Sequence, residues 1–365
     1  MKSELASILL KRRFNKEEIK YLLSLEGEGM QELFAKANET KLKYLDNYVH
    51  LRGLIEYSNI CEKNCLYCGL RCKNSNVCHY TIKDEDVLAS VRLAMNLKYG
   101  SIAIQSGEQT SKEFTNKISQ LIRTIKQISD NKIGITLSCG EQTEDVYKEW
   151  FDAGAHRYLL RIESSNKDLY YKIHPNDAKH SYENRLQCID TLMKIGYQTG
   201  TGCMVGLPFQ TMDDLADDIL FFKEKDVAMV GLGPFIPHQD TPLWQFKDMI
   251  PDKATRMSLT LKTIAVIRLM MPEINMVAST ANQTISKDGR KNAIYVGANV
   301  IMPNLSPNTY RENYLIYPDK ANVKDKPIEC KENLELELQS INHKILYDTW
   351  GDSKAFLNKT HKNQQ

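Results

Sequence analysis

Short apolar runs alternate with helical repeats between about residue 50 and residue 302. Each run is rich in aliphatic and β-branched residues, and most are followed by apolar residues at helical spacing. The predicted strands are 50–58, 101–105, 133–138, 157–163, 198–205, 228–233, 274–279 and 298–302. Eight strand–helix units over about 250 residues predict an α/β protein with a (β/α)8 barrel of the TIM type. A doubly wound open sheet is the alternative, and the count of eight argues mildly against it.

The segments on either side of this alternation also predict helices. Asn15, followed by Glu18, is typical of a helix N-cap, and an apolar stripe follows it. We therefore expect residues 1–47 to form a helical cover over the bottom of the barrel. Residues 48–320 would form the barrel, and residues 321–365 a C-terminal helical extension with a polar tail.

Composition and charge exclude several classes of protein. The chain has 365 residues, of which 42% are hydrophobic and 26% are charged, as is ordinary for a globular protein. Its net charge of +2 gives no strong field for nucleic acid or an anionic membrane, so we expect neither as a partner. No apolar run is long enough to span a bilayer. Nine cysteines without a signal peptide predict reduced thiols in the cytoplasm.

The segment that carries the most specific chemistry is Cys61-Glu62-Lys63-Asn64-Cys65-Leu66-Tyr67-Cys68. Three thiolates at such short spacing can hold three irons of a four-iron cluster and leave the fourth iron open. An open iron can chelate a small molecule that carries an amine and a carboxylate. Structural zinc is a second interpretation, because Cys72, Cys78 and His79 lie close by. A disulfide framework is disfavoured in a long chain of this kind.

Polar residues also gather where the predicted strands end, which is where barrel enzymes carry their chemistry. They are Gln105 to Glu108, Thr136, Ser138, Glu141, Arg161, Glu163, Ser279, Thr280, Pro303 and Asn304. Strand alternation places Arg157, Arg161 and Glu163 on one face of strand four, and Arg52 and Glu56 on one face of strand one. If these faces point inward, the arginines form internal ion pairs or hold an anionic guest.

The cysteine segment, C-x3-C-x-aromatic-C, resembles the signature of the radical S-adenosylmethionine (SAM) enzymes. That resemblance implies a (β/α)8 barrel, a [4Fe–4S] cluster on Cys61, Cys65 and Cys68, and SAM bound at the open iron. Ser106-Gly107-Glu108 is similar to the family's GGE motif, which binds the SAM amino group, although serine replaces the first glycine. The SAM-contacting residues implied are Tyr67, Ser106, Gly107, Glu108, Ser138, Glu163 and Arg185.

Longer stretches resemble one branch of that family, the HydE maturases of [FeFe]-hydrogenase. They are 55–71, 105–110, 157–164, 183–188, 204–211, 229–243 and 297–311. This resemblance implies a substrate made by the maturase HydG, an iron–cysteine complex with carbon monoxide and cyanide. It also implies delivery to the scaffold HydF and an external one-electron donor. The cavity for this guest would be lined by Arg157, Arg161, Ser279, Thr280 and Tyr310.

Two related enzymes and one different class remain as alternatives. Biotin synthase and methylornithine synthase would use the same radical step on an organic substrate. A zinc-stabilised binding scaffold would carry no chemistry at all. Many HydE proteins hold an auxiliary cluster near the C-terminus, but Cys330 is the one cysteine of that region, so we expect no second cluster. Cys72, Cys78, Cys139, Cys188 and Cys203 are interpreted as ordinary thiols.

Overall fold

Eight parallel strands close into a barrel in the computed structural model of the chain, which describes residues 2–321 and 327–362. The strands are β1 (Tyr48–Ser58), β2 (Ser101–Ser106), β3 (Gly134–Ser138), β4 (Arg157–Leu159), β5 (Gln198–Thr201), β6 (Met204–Val205), β7 (Met229–Pro234), β8 (Asn275–Ala278), β9 (Val300–Ile301) and β10 (Lys344–Leu346). The order around the barrel is β1-β2-β3-β4-β5-β7-β8-β9, and β9 pairs back with β1. The predicted (β/α)8 architecture is confirmed.

Helices surround the barrel and follow its strands in the expected alternation. They are α1 (Lys2–Leu9), α2 (Lys16–Ser24), α3 (Gly27–Leu45), α4 (Asp84–Asn96), α5 (Lys112–Ile128), α6 (Glu144–Asp152), α7 (Lys167–Ile173), α8 (Tyr182–Ile195), α9 (Met212–Glu224), α10 (Lys253–Met270), α11 (Thr280–Ile285), α12 (Gly289–Tyr295), α13 (Asn308–Arg311), α14 (Pro327–Gln339) and α15 (Lys354–Lys362). Two 3-10 segments, Ala178–His180 and Pro242–Met249, lie between them. The predicted cap at Asn15 is confirmed as a capping box with Glu18.

The N-terminal helices lie along the flank of the barrel, so the expectation that they cover its bottom is wrong. Helices α2 and α3 pack against α9 and α10. The reason lies in α10, where nearly every residue from Arg256 to Met270 is buried. A helix that is buried around its whole circumference needs a second layer outside it. Residues 2–45 supply that layer.

The bottom of the barrel is closed by residues 344–353, which we call the plug. Strand β10 pairs with the start of β1, and the chain then crosses the first residues of the neighbouring strands. The approach is so close that a Cβ on Gly100 would lie 1.9 Å from the carbonyl oxygen of Thr349. The Gly351 carbonyl accepts hydrogen bonds from Arg52 at 3.2 Å and Asn275 at 2.9 Å. The plug therefore satisfies polar groups that point down from the lumen.

Arg157 belongs to this plug, and its assignment to the substrate cavity is wrong. It is the first residue of β4, its side chain is fully buried, and it donates to Thr136 Oγ1 at 2.9 Å. It also donates to the Trp350 carbonyl at 2.8 Å and pairs with Asp352. The predicted shared face with Arg161 fails because regular pairing ends at Leu159.

The plug yields a stability prediction. Asp352→Asn should lower the free energy of unfolding by about 1.5–3 kcal/mol, because the buried Arg157 guanidinium loses its only carboxylate partner among the described residues. Asp348→Asn is the matched control, since Asp348 lies exposed on the same segment. Chemical denaturation of both variants measures the difference. Equal loss of stability in the two would show that the ion pair does not hold the plug.

Candidate active site

The cysteine segment forms a loop directly above β1, and its backbone is anchored on several sides. The amide of Glu62 donates to the Glu108 carbonyl at 2.8 Å, and that of Leu66 to the Ile173 carbonyl at 3.0 Å. Between them, the amide of Asn64 donates to His180 Nε2 at 2.8 Å. These bonds tie the loop to the end of β2 and to the segment that follows β4.

His180 has a defined tautomer in this arrangement. Its Nε2 accepts the Asn64 amide, so the proton is on Nδ1, which lies 2.6 Å from Asp177 Oδ1. Burial lowers the pKa of His180, although Asp177 opposes this effect, and a neutral ring agrees with its role as an acceptor. A fixed imidazole therefore holds the centre of the cysteine loop.

A glycine at position 107 is required by the packing of this loop. A Cβ there would lie 2.3 Å from the carbonyl oxygen of Ile60 and 2.9 Å from Cys61 Cβ. Only a residue without a side chain lets the end of β2 approach the loop so closely. The motif Ser106-Gly107-Glu108 therefore has a structural reason that is independent of any cofactor.

The three thiols are partly exposed and form no disulfide. Burial raises the pKa of Cys61, places that of Cys65 well above its ordinary range, and raises that of Cys68 to about 12. The amide of Glu108 donates to Cys61 Sγ at 3.4 Å, which favours a thiolate bound to metal. Among the described residues, no three His, Cys, Asp or Glu side chains converge on a single ion. Three thiols on one loop can each bind a different iron of a cluster.

Tyr67, the aromatic residue of the motif, is anchored by its neighbours. Its ring meets His174 edge-on, with centroids 5.3 Å apart. His174 in turn stacks on Tyr170 at 4.0 Å. Tyr67 and Leu66 also pack against a small apolar cluster built on Leu169, Ile173, Met204, Leu207, Phe235 and Leu243. The loop between the cysteines is therefore held by side-chain packing as well as by its backbone.

Four buried charged side chains pair with one another beneath the loop, and one of them, Lys63, comes from the loop itself. Lys63 Nζ lies 3.0 Å from Glu108 Oε1 and 3.0 Å from Glu141 Oε2. Arg185 bonds Glu141 through Nε and the carbonyl of Arg161 through Nη1. Burial would raise the pKa of Glu141, but the charges of Arg185 and Lys63 hold it below its ordinary value. Two cations thus neutralise two carboxylates.

Arg161 and Glu163 lie at the mouth of the barrel, as predicted, but on irregular backbone. Glu163 adopts φ 66°, and its amide donates to the Gly202 carbonyl at 3.0 Å. Arg161 Nη2 donates to the Cys203 carbonyl at 2.7 Å. It approaches Glu163 Oε2 to 3.0 Å without the alignment of a hydrogen bond. About a third of the Arg161 side chain, 32%, remains exposed.

The remaining predicted residues separate into two groups. Ser106 and Ser138 are the last residues of β2 and β3, and Ser279 and Thr280 follow β8. Ser106 Oγ and Ser279 Oγ have no hydrogen-bond partner among the described residues. Tyr310 lies elsewhere: its hydroxyl donates to Asp86 of α4 at 3.3 Å and its ring packs on Tyr80. These contacts place Tyr310 beside α4 and the segment before it, and its assignment to the substrate cavity stays a prediction.

The segment 313–321 contacts the mouth of the barrel. The Ile316 carbonyl accepts the amide of Gly69, next to the last cysteine of the loop, at 3.1 Å. Lys320 pairs with Glu56, which also accepts a hydrogen bond from Asn304 at 2.8 Å. Glu56 therefore faces Lys320 at the top of β1, while Arg52 faces the plug at the bottom. The sequence did not point to Lys320, because its partner lies more than 260 residues away.

Comparison with known proteins identifies the class to which this site belongs. Residues 55–222 match the family model of the Radical SAM superfamily, and residues 234–334 match that of the Biotin and Thiamin Synthesis associated domain. The structure of methylornithine synthase (PylB) superposes with a TM-score of 0.81 at 22% identity, covering 94% of this chain and 97% of that one. That of HydG gives 0.80 at 21% identity and covers 100% and 82%. The chain is a radical SAM enzyme.

Sequence identity narrows this class further. The [FeFe] hydrogenase maturase subunit HydE of Thermotoga maritima is 43% identical over 354 residues, which is 97% of this chain and 98% of that protein. The chain therefore belongs to the HydE family and acts in [FeFe]-hydrogenase maturation. By comparison, 3-methylornithine synthase of Methanosarcina barkeri is 25% identical over 317 residues, or 85% of each chain. No helix in the described part of the chain has the length and apolar character of a membrane span.

The burial of the thiols yields a prediction for the metal-free protein. At pH 8, Cys65 and Cys68 should react with iodoacetamide at least about tenfold more slowly than the exposed Cys72 and Cys78, because only the thiolate reacts. Mass spectrometry of peptides after timed quenching measures each rate. Equal rates at all four positions would show that the loop is open to solvent in the absence of metal.

Proposed function

We propose that Cys61, Cys65 and Cys68 hold three irons of a [4Fe–4S] cluster, and that SAM binds the fourth iron. The observation that carries this proposal is the anchored loop at the end of β1, on which three thiols form no disulfide and the amide of Glu108 donates to Cys61 Sγ. When bound, the cluster and SAM supply a 5′-deoxyadenosyl radical through one-electron cleavage of the sulfonium.

The residues around the open iron would then orient SAM. We propose that Tyr67 contacts the adenine of SAM and that its methionine end is lined by Ser106, Gly107 and Ser138. Glu163 would accept from a hydroxyl or amino group through Oε2, which has no aligned hydrogen bond among the described residues. Arg185 and Glu108 are already paired with other side chains, which argues against their predicted contacts with SAM.

Exclusion of water is the second task of the chain, since the radical must not meet solvent. Residues 313–321 would serve it by lying against the mouth of the barrel. The buried pair between Lys320 and Glu56 and the hydrogen bond from the Ala321 amide to Thr284 Oγ1 at 3.0 Å hold this segment. The plug at 344–353 would close the other end.

The substrate would be a small anion, in the family's case an iron–cysteine complex with carbon monoxide and cyanide. Arg161 would hold it, because its Nε is buried without a hydrogen-bond partner among the described residues. Ser279 Oγ is a second buried polar atom without a hydrogen-bond partner among the described residues. By its relationship to HydE, the chain would receive this substrate from HydG, pass its product to HydF and take electrons from an external donor in the cytoplasm.

The cluster ligands can be tested with a matched control. Serine in place of Cys61, Cys65 or Cys68 should abolish the EPR signal of the reduced [4Fe–4S] cluster and the formation of 5′-deoxyadenosine together. Cys330→Ser should leave iron per chain unchanged, because it lies outside the loop. Full cluster content in all three loop variants would refute the assignment, and a clear loss of iron in Cys330→Ser would reveal a second site.

The proposed anion contact gives a separate prediction. Arg161→Lys should retain the cluster and SAM binding but slow turnover of the anionic substrate by about ten- to a hundredfold, because lysine cannot reproduce the planar fork of arginine. SAM binding is measured by the shift of the cluster EPR spectrum, and turnover by 5′-deoxyadenosine formed with and without substrate. If the variant loses SAM binding instead, Arg161 belongs to the cofactor site.

A further inference from the structure

We infer that Lys63, Glu108, Glu141 and Arg185 form a buried clasp that fixes the cysteine loop, and that Glu108 acts through Lys63 as a positioning residue. The inference rests on the proposed function, because it assumes that the loop holds the cluster. It assigns Lys63, which lies between the first two cysteines, a role in shaping the site. It also assigns Glu108 a role other than direct contact with SAM.

Lys63 is fully engaged by the protein. Its side chain is 8% exposed, and its ammonium contacts Glu108, Glu141 and the carbonyl of Lys179. An ammonium has three donors, and each of these contacts takes one. The backbone of Lys63 contributes as well, since its carbonyl accepts the amide of Cys72 at 2.8 Å. Lys63 thus attaches the middle of the loop to the protein through both its side chain and its backbone.

Both oxygens of Glu108 are also used. Oε1 faces Lys63 at 3.0 Å, and Oε2 accepts the amide of Glu141 at 2.9 Å. The turn that presents this amide depends on Gly140, which has φ +77°. A Cβ there would lie 2.3 Å from Glu108 Cγ, so the turn is shaped around the glutamate in this orientation.

The second half of the clasp connects these groups to the helical layer. Glu141 accepts from Arg185 on Oε1 and from Asn184 on Oε2, the latter at 2.6 Å. Arg185 then donates to the Arg161 carbonyl at 2.8 Å. The chain of contacts therefore runs from the cysteine loop through the ends of β2 and β3 to α8 and the segment after β4.

Charge balance argues against a direct bond between Glu108 and SAM in this arrangement. Two cations already neutralise the two carboxylates, and buried ion pairs persist only when each charge keeps its partner. The ammonium group of SAM would have to displace Lys63 from Glu108. That exchange would leave the Lys63 ammonium with one carboxylate, Glu141, in a site where it is almost wholly buried.

The clasp can be tested without SAM. Glu108→Gln and Lys63→Met should each release iron to a chelator at least about tenfold faster than the wild-type reconstituted protein. In metal-free protein they should speed alkylation of Cys61, Cys65 and Cys68. Lys63→Arg should restore most of the retention, since the cation is kept. Combining Glu108→Gln with Lys63→Met should add little to either single change, because each already removes the same pair.

Glu62→Gln is the matched control. Glu62 lies on the same loop, but among the described residues its carboxylate accepts only from the neutral donors of Thr110, so iron retention and thiol reactivity should not change. Circular dichroism establishes that each variant is folded. If Lys63→Met does not fold, the two single variants Glu108→Gln and Lys63→Arg still decide whether the clasp fixes the loop.

Two outcomes would overturn the inference. In the first, Glu108→Gln retains iron and thiol protection like the wild type but binds SAM more weakly, as a direct ligand would. In the second, Glu62→Gln loses iron as fast as Glu108→Gln. Failure of the proposed function looks different, because the wild-type protein itself would then take up no cluster.

Discussion

Pairing of buried charge is the constraint on which both ends of this barrel depend. A charge removed from water costs several kcal/mol unless a partner and hydrogen bonds compensate it. At the top, Lys63 and Arg185 compensate Glu108 and Glu141 beneath the cysteine loop. At the bottom, Asp352 compensates Arg157 and thereby anchors the plug. The same rule thus fixes the loop that holds the thiols and the segment that closes the barrel.

The repeating parts of the fold could be predicted from sequence because their causes are local. Eight apolar runs with intervening helical repeats specify the barrel, and the capping box at Asn15 follows from residues three apart. Not every local detail is set by near neighbours: of the adjacent hydroxyls of Thr110 and Ser111, that of Ser111 caps α5 and that of Thr110 donates to Glu62.

The site was predicted only in part, for the same reason. The three cysteines and Gly107 are recognisable as a motif, whereas Lys63 and Glu141 come together only once β1, β2 and β3 have paired in the barrel. Arg157 was misplaced because strand alternation does not tell which end of a barrel a residue occupies. For that residue the end is set by Asp352, which is almost two hundred positions away in the chain.

The proposed chemistry of this barrel is cleavage of SAM at the open iron of a bound cluster. The most direct test compares the EPR spectrum of the anaerobically reconstituted, reduced protein before and after addition of SAM, and quantifies 5′-deoxyadenosine and methionine in the same sample. We expect the [4Fe–4S] signal to shift on addition of SAM, and the two products to form in equal amounts. A spectrum that SAM leaves unchanged, with neither product formed, would show that the barrel does not bind and cleave SAM at an open iron.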